Sequence, residues 1–381
     1  MSYSSIKFIN KDKSDFFSAL KEKIDDYFIN NSLSKTGGNK MLIKAVFMLS
    51  LYLIPYFLII SSLFSMAGMF LLSVLMGVGI AGVGMSIMHD ANHGSFSSKE
   101  WINKLFSYSI VLLGGNIYSW KLQHNTLHHT YTNIHEVDED ITGKFLLRFS
   151  IETKLKKIHK YQHIYAFFLY GLMTISFLVK DFRQVFHLNK KSTNDLIKPY
   201  PFKELINLIT GKLFYFTFIM AIPMLLTHIN FWQWLLGFMV MHFTAGLILS
   251  IIFQMAHIVE GVEQPLPDEK GNIMNAWAIH QLQTTSNFSG NNKILSWFIG
   301  GLDFQIEHHL FPNISHIHYR NISGIVKSTA ENYGITYNAK KSLGHAIISH
   351  TKMLKKMGNE LNFLIREKEI AAVDLMVLEE A

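Results

Sequence analysis

Two stretches of the chain, Leu42 to Phe64 and Met66 to Met88, are almost wholly apolar, and a second pair follows from Lys212 to Leu226 and from Phe231 to Met255. The first pair comes close to the ~20 residues that a bilayer's hydrocarbon core demands of a helix. The turns inside the pairs, Ser61 to Gly68 and Thr227 to Asn230, carry no Lys or Arg. Basic residues concentrate instead before the first run, between Asp90 and Lys212, and after Gln254, and the positive-inside rule places such segments in the cytoplasm. The pattern predicts an all-α integral membrane protein with four transmembrane helices in two hairpins, both termini inside, under a cytoplasmic helical cap. Residues 1–41 read as a cytoplasmic N-terminal segment, 42–330 as the membrane and cap domain, and 331–381 as a C-terminal helix ending in a loosely held tail from Ile365.

The polar exceptions to this pattern are histidines, and they come in clusters: His89 with His93, His124 with His128 and His129, and His308 beside His309. Imidazoles four apart share one helical face, so His89 and His93 can grip one ion, and His124 and His128 repeat that spacing. His129, turned about 100° further round the helix, points elsewhere and can serve a second ion. Gln305 precedes the last pair by three and four residues, so its amide oxygen can join them. His257 follows the fourth run by about one helical turn. These eight imidazoles suffice for two ions with open positions for substrate or oxygen.

The clusters also settle two shorter apolar stretches. Leu105 to Tyr118 is too short to cross, whereas His163 to Val179 is just long enough. A crossing there would put the second and third clusters on opposite faces, so that stretch is expected to lie in the interface. His242, mid-span, should face the bundle interior and bond a neighbouring helix. His280 fits either the cap surface or a position behind the ligands. His135, His159, His163, His187, His228, His316, His318, His345 and His350 pair with no cluster, and most are expected at the surface. Acidic residues near the clusters, Asp90, Asp138, Asp140, Glu260, Asp303 and Glu307, are candidates for orienting imidazoles by accepting their second N–H, with Asp90, Asp303 and Glu307 foremost.

Composition agrees with this frame: of 381 residues 49% are hydrophobic and only 17% charged. The absence of Cys removes disulfides, thiolate metal sites and Cys nucleophiles. A net charge of +7 fits anionic lipid head groups better than nucleic acid, for which no motif is present. The basic residues Arg148, Lys154, Lys156 and Lys157 can attract a phosphate-bearing head group or rest on anionic lipid. The spacing of His89-Asp90-Ala91-Asn92-His93 is that of HExxH, but Asp90 stands where a zinc protease needs Glu.

The three clusters, in this order around four apolar runs, resemble the histidine boxes of the membrane fatty acid desaturases over residues 40 to 330. Gln305 in Asp303-Phe304-Gln305-Ile306-Glu307-His308-His309 is similar to the front-end branch (delta-5 and delta-6 types) and to bacterial linoleoyl-CoA desaturases. The resemblance implies two iron ions held by His89, His93, His124, His128, His129, His257, His308 and His309, with Gln305 where other branches have a ninth imidazole. It implies O2-dependent insertion of a cis double bond into an acyl-CoA or acyl-lipid in a bacterial inner membrane. The chain has no His-Pro-Gly-Gly motif of a fused cytochrome b5, so electrons are expected from a separate ferredoxin or cytochrome b5-type donor. A hydroxylase of the same di-iron class shares this spacing. A His-rich metal transporter would instead place its ligands near the bilayer midplane.

Overall fold

The computed structural model describes residues 6–142, 145–189, 199–288, 290 and 292–359. The tail expected from Ile365 to Ala381 and the side chain of His187 lie outside the described residues. Helix dominates. Strand is limited, among the described residues, to Lys7–Phe8 paired in parallel with Asn272–Ile273, besides one isolated bridge between Asn287 and Ala339.

Four helices are long and apolar enough to cross a membrane: Gly38–Ile60, Met66–Asn92, Phe202–Leu226 and Phe231–His257. The polar breaks between apolar runs double as caps. Ser65 accepts a hydrogen bond from the Gly68 N–H, and Asn230 from the N–H groups of Trp232 and Gln233.

Three boundaries differ from the sequence expectation. The second span runs on to Asn92, so His89 and Asp90 sit in its last turn rather than beyond it. The third starts at Phe202 instead of Lys212, because the Lys212 charge is met inside the protein: Nζ lies 2.6 Å from Asp181 Oδ2 and 2.6 Å from the Gly114 carbonyl. The first starts at Gly38 and contains Lys44, which is only 2% exposed.

The expected interfacial stretch around His163 to Val179 is not straight. Helices Lys157–Tyr170 and Met173–Phe186 meet at 88°, the shape of a broken span or a re-entrant loop. The second span lies at the centre of the bundle. A side-chain carbon at Gly79 would come within 2.8 Å of the Tyr52 and Leu51 backbone on the first span, and one at Gly77 within 2.7 Å of Thr244 on the fourth. Missing side chains thus let three helix backbones approach closely, as membrane bundles require.

At the His89 end of this bundle the remaining helices pack together. Helix Phe16–Asn30 buries Phe16, Leu20, Ile24 and Phe28 against Phe304, Ile306, Leu310 and Ile322. Helix Gln305–Leu310, which carries the last two clustered histidines, is buried throughout. Gly300, at φ +68°, lies where a side chain would collide with the Met85 carbonyl. The loop leading to the last cluster therefore rests directly on the second span.

Candidate metal centre

The second span loosens into a π-helix over Val83–Met88, immediately before His89, and a second π-helix covers Leu122–His128. Such turns are rare and cluster at functional sites. After the first, ordinary helix resumes: the His93 N–H bonds the His89 carbonyl at 3.1 Å, and both rings face one group, as their spacing predicts. The second π-helix overturns the expectation for the middle cluster. Its i→i+5 bond, His129 N–H to His124 carbonyl at 3.0 Å, carries His129 round to the side of His124, with their Nε2 atoms 3.3 Å apart. His124 and His128 consequently part company.

Two groups made of imidazoles alone result, each able to hold an ion. One contains His89, His93, His124 and His308; the other contains His128, His257 and His309. His129 stands between them, its ring centroid 4.5 Å from that of His308 and 4.4 Å from that of His309. Residues more than two hundred positions apart thus converge on one spot. Gln305 is 1% exposed in the same helix as His308, and its Nε2 has no hydrogen-bond partner. Asp138 and Asp140 form a third acidic group around His128.

Behind the rings, the other nitrogens are anchored. His128 Nδ1 lies 3.0 Å from Asp138 Oδ2, His309 Nδ1 donates to Gln281 Oε1 at 2.9 Å, and His257 Nδ1 to the Thr284 carbonyl at 3.2 Å. His308 Nδ1 is 3.2 Å from the Tyr319 hydroxyl. With Nδ1 so committed, Nε2 of His257, His308 and His309 is buried without a partner, as is Nε2 of His93. Orphaned buried nitrogens are costly unless something else is bound. This donor set, imidazole with nearby carboxylate and no thiolate, suits iron among the borderline metals.

The electrostatics point the same way. Burial, and then the neighbouring imidazoles, push His93, His124, His129, His308 and His309 well below the ordinary histidine range. Neutral rings keep their lone pairs available. At His128 burial works against charge, yet Asp138 beside it raises the pKa above the ordinary value. Burial also opposes ionisation of Asp138, but pairing with His128 brings it down to about 2.

Of the acids expected to orient imidazoles, Asp138 and Asp140 stand at His128, and Asp90 faces two rings: Oδ1 is 3.8 Å from His89 Nδ1 and Oδ2 is 2.9 Å from His316 Nδ1. Glu307 does not; it accepts from Asn287 and Tyr337, and burial pushes it up to about 7. Asp303 forms no hydrogen bond with an imidazole, and burial raises it to about 6. On a six-residue helix the side chain next to a clustered histidine points away from it.

Gln281, Thr284 and Tyr319 support the rings without any spacing signal, because they reach them only through the fold. His280 belongs behind the site, its Nε2 2.9 Å from the Thr132 carbonyl in the turn after His129. His242 meets Tyr215 and Thr174 inside the bundle, as its position predicts. The surface assignment fails for His159, His316, His318 and His350, all buried. Arg148 is also buried, its guanidinium donating to the carbonyls of Thr153, Ile151 and Met357, so it is unavailable to a head group.

A cavity of about 320 Å³ opens against His89, His124 and Trp120. Met88, Leu113, Met173, Phe177, Leu249 and Phe253 give it apolar walls, while Gln123, Asp140 and Lys180 stand at a polar rim. A larger cavity of about 560 Å³, among Tyr56, Met76, Trp234 and Met241, touches no histidine. Only the smaller one offers a hydrocarbon chain a bed beside the clustered rings.

The fatty acid desaturase family model matches residues 64–341. The chain is 32% identical over 355 residues to the sn-1 linoleoyl-lipid 6-desaturase of a Synechocystis strain, covering 93% of this chain and 98% of that protein. It is 34% identical to the protein of the same name from Arthrospira platensis, over 74% of this chain and 76% of the relative. An acyl-lipid (8-3)-desaturase of Physcomitrium patens shares 30% identity over 93% of this chain and 74% of its own length.

Proposed function

The chain belongs to the fatty acid desaturase family, and from that premise we propose that it inserts a cis double bond into the acyl chain of a membrane lipid, between an existing double bond and the carboxyl end. It is a desaturase, an oxidoreductase seated in a membrane. The observation that carries the finer reading is the apolar cavity running directly to His89 and His124, joined to relatives named for linoleoyl-lipid and acyl-lipid desaturation.

We assign one iron to His89, His93, His124 and His308 and a second to His128, His257 and His309. His129 lies between them, and Gln305 is an additional ligand from the last helix. Iron bound there would supply the electrons that activate O2 into an oxidant able to remove hydrogen from an unactivated methylene. The residues of the chain do the rest. Met88, Leu113, Leu249 and Phe253 bind the hydrocarbon and exclude water, so that one carbon pair is presented to the rings. Asp138, Gln281, Thr284 and Tyr319 fix the tautomer and direction of His128, His309, His257 and His308. Trp120, its ring centroid 4.3 Å from that of His124, closes the wall where the chain would pass.

The electron donor is read as a separate ferredoxin or cytochrome b5-type protein. The topology is read as two helical hairpins with both termini, the cap and the metal centre on the cytoplasmic side of a bacterial inner membrane. Residues 1–41, 42–330 and 331–381 are read as N-terminal segment, membrane and cap domain, and C-terminal helix with tail.

Expression in a host without polyunsaturated acids, fed linoleate, should yield a new double bond on the carboxyl side of the existing pair, read by mass spectrometry of methyl esters. An unchanged profile across several chain lengths with a competent donor would reject the reading. His128→Ala and His309→Ala should abolish the product while leaving folded protein in the membrane.

A further inference from the structure

Near its N-terminal end the first span buries one cation, Lys44. An ammonium inside a spanning helix is costly unless partnered, so its partners indicate its purpose. Nζ lies 2.7 Å from His316 Nε2 and 5.0 Å from the centre of the Trp297 ring. An ammonium can only donate. His316 must therefore accept at Nε2 and carry its proton on Nδ1, the atom that faces Asp90 Oδ2 at 2.9 Å. That contact is bent away from the ring N–H direction, so its value is electrostatic more than that of a linear hydrogen bond. The same oxygen also receives the Ser315 hydroxyl at 2.9 Å and the His316 backbone N–H at 3.3 Å.

The carboxylate is thus pinned on one side and free on the other. Its remaining oxygen faces His89 Nδ1 at 3.8 Å, beyond hydrogen-bond reach, so it acts on that ring through its charge, while His89 Nε2 points inward, 3.2 Å from His124 Nε2. On the other side of the centre, Asp138 stands behind His128 in a comparable way. Asp140 adds a second carboxylate there, 3.5 Å from His128 Nδ1, whereas behind His89 Asp90 is itself held by a further imidazole that a buried lysine contacts.

We propose that Lys44 and His316 are positioning residues for the metal centre, which through Asp90 hold His89 with its proton on Nδ1 and its Nε2 lone pair turned to the ion. The proposal rests on the reading of the clustered histidines as metal ligands. It concerns only the ion of His89, His93, His124 and His308, so its signature is the loss of one ion of two.

The test uses full-length detergent-purified protein loaded with ferrous iron. It measures iron per chain during dialysis against a graded chelator, alongside the melting temperature of the iron-free protein. Lys44→Met and His316→Leu should bind one of the two ions at least about tenfold more weakly, with the second ion unaffected. His316→Gln, whose amide can accept from Lys44 and donate to Asp90, should restore most of that affinity. The proposal is overturned if Lys44→Met and His316→Leu hold both ions as tightly as the parent, even with lowered iron-free melting temperatures, since that pattern marks a purely structural role. It is equally overturned if the Gln variant behaves as the Leu variant does. A parent protein that binds no iron would reject the metal reading itself, a different result from equal binding by all variants.

Discussion

The partners of the two ring nitrogens decide how a buried histidine of this protein behaves, and the outcome differs from ring to ring. His350 donates from Nδ1 to the Ile258 carbonyl at 2.7 Å and takes the Tyr170 hydroxyl on Nε2 at 2.6 Å. Only a neutral ring can do both. Burial accordingly brings its pKa down to about 4. Between its unfolded value of 6.5 and about 4 the unfolded chain binds the proton and the folded one does not, so stability is lost as pH falls through that window. We expect His350→Gln to flatten the loss, by at most about 3 kcal/mol, in thermal melts taken from pH 7 to pH 4. Asp138→Asn should act at the metal centre instead. With the acceptor behind His128 weakened, iron affinity should drop by roughly 10- to 100-fold with little change in melting temperature, as read by iron content. Neither role is visible in the sequence: His350 belongs to no cluster, and nothing in the spacing says that Asp138 rather than Glu307 backs a ring.

Among the helices, the two π-turns beside the clustered histidines, Val83–Met88 and Leu122–His128, do the most to shape the site. Sequence spacing assumes 3.6 residues per turn and so pairs His124 with His128; the wider turn pairs His124 with His129 and sends His128 to His257 and His309. The spans were legible because a bilayer demands long apolar runs, and Ser65 and Asn230 mark their starts. Lys212 misled as a boundary because Asp181 neutralises it. Lys44 was hidden inside an apolar run. Close backbone approach also belongs to this scale. Gly300→Ala should be costly by about 1–3 kcal/mol, since it combines a left-handed backbone conformation with a collision against Met85. A lower melting temperature together with reduced iron content would be the expected reading, because the strained loop carries the last histidine pair.

For the whole molecule, topology is the quantity left to measure, and the lack of native Cys makes it accessible. Single substitutions Ser62→Cys and Asn230→Cys should react with an impermeant maleimide from outside intact cells, and Ser97→Cys and Lys293→Cys only after lysis. Labelling of Ser97→Cys from outside would refute the cytoplasmic cap. By itself the sequence determined the membrane class, the four spans and the identity of the clustered histidines, because hydropathy and ligand chemistry are properties of residue types along a line. Only the tertiary structure decided which rings gather into each group, that Asp90 and Asp138 rather than Glu307 and Asp303 stand behind them, and that Arg148 is buried in the protein. Those outcomes depend on contacts between segments more than two hundred residues apart and on local helix winding, and one-dimensional spacing carries neither.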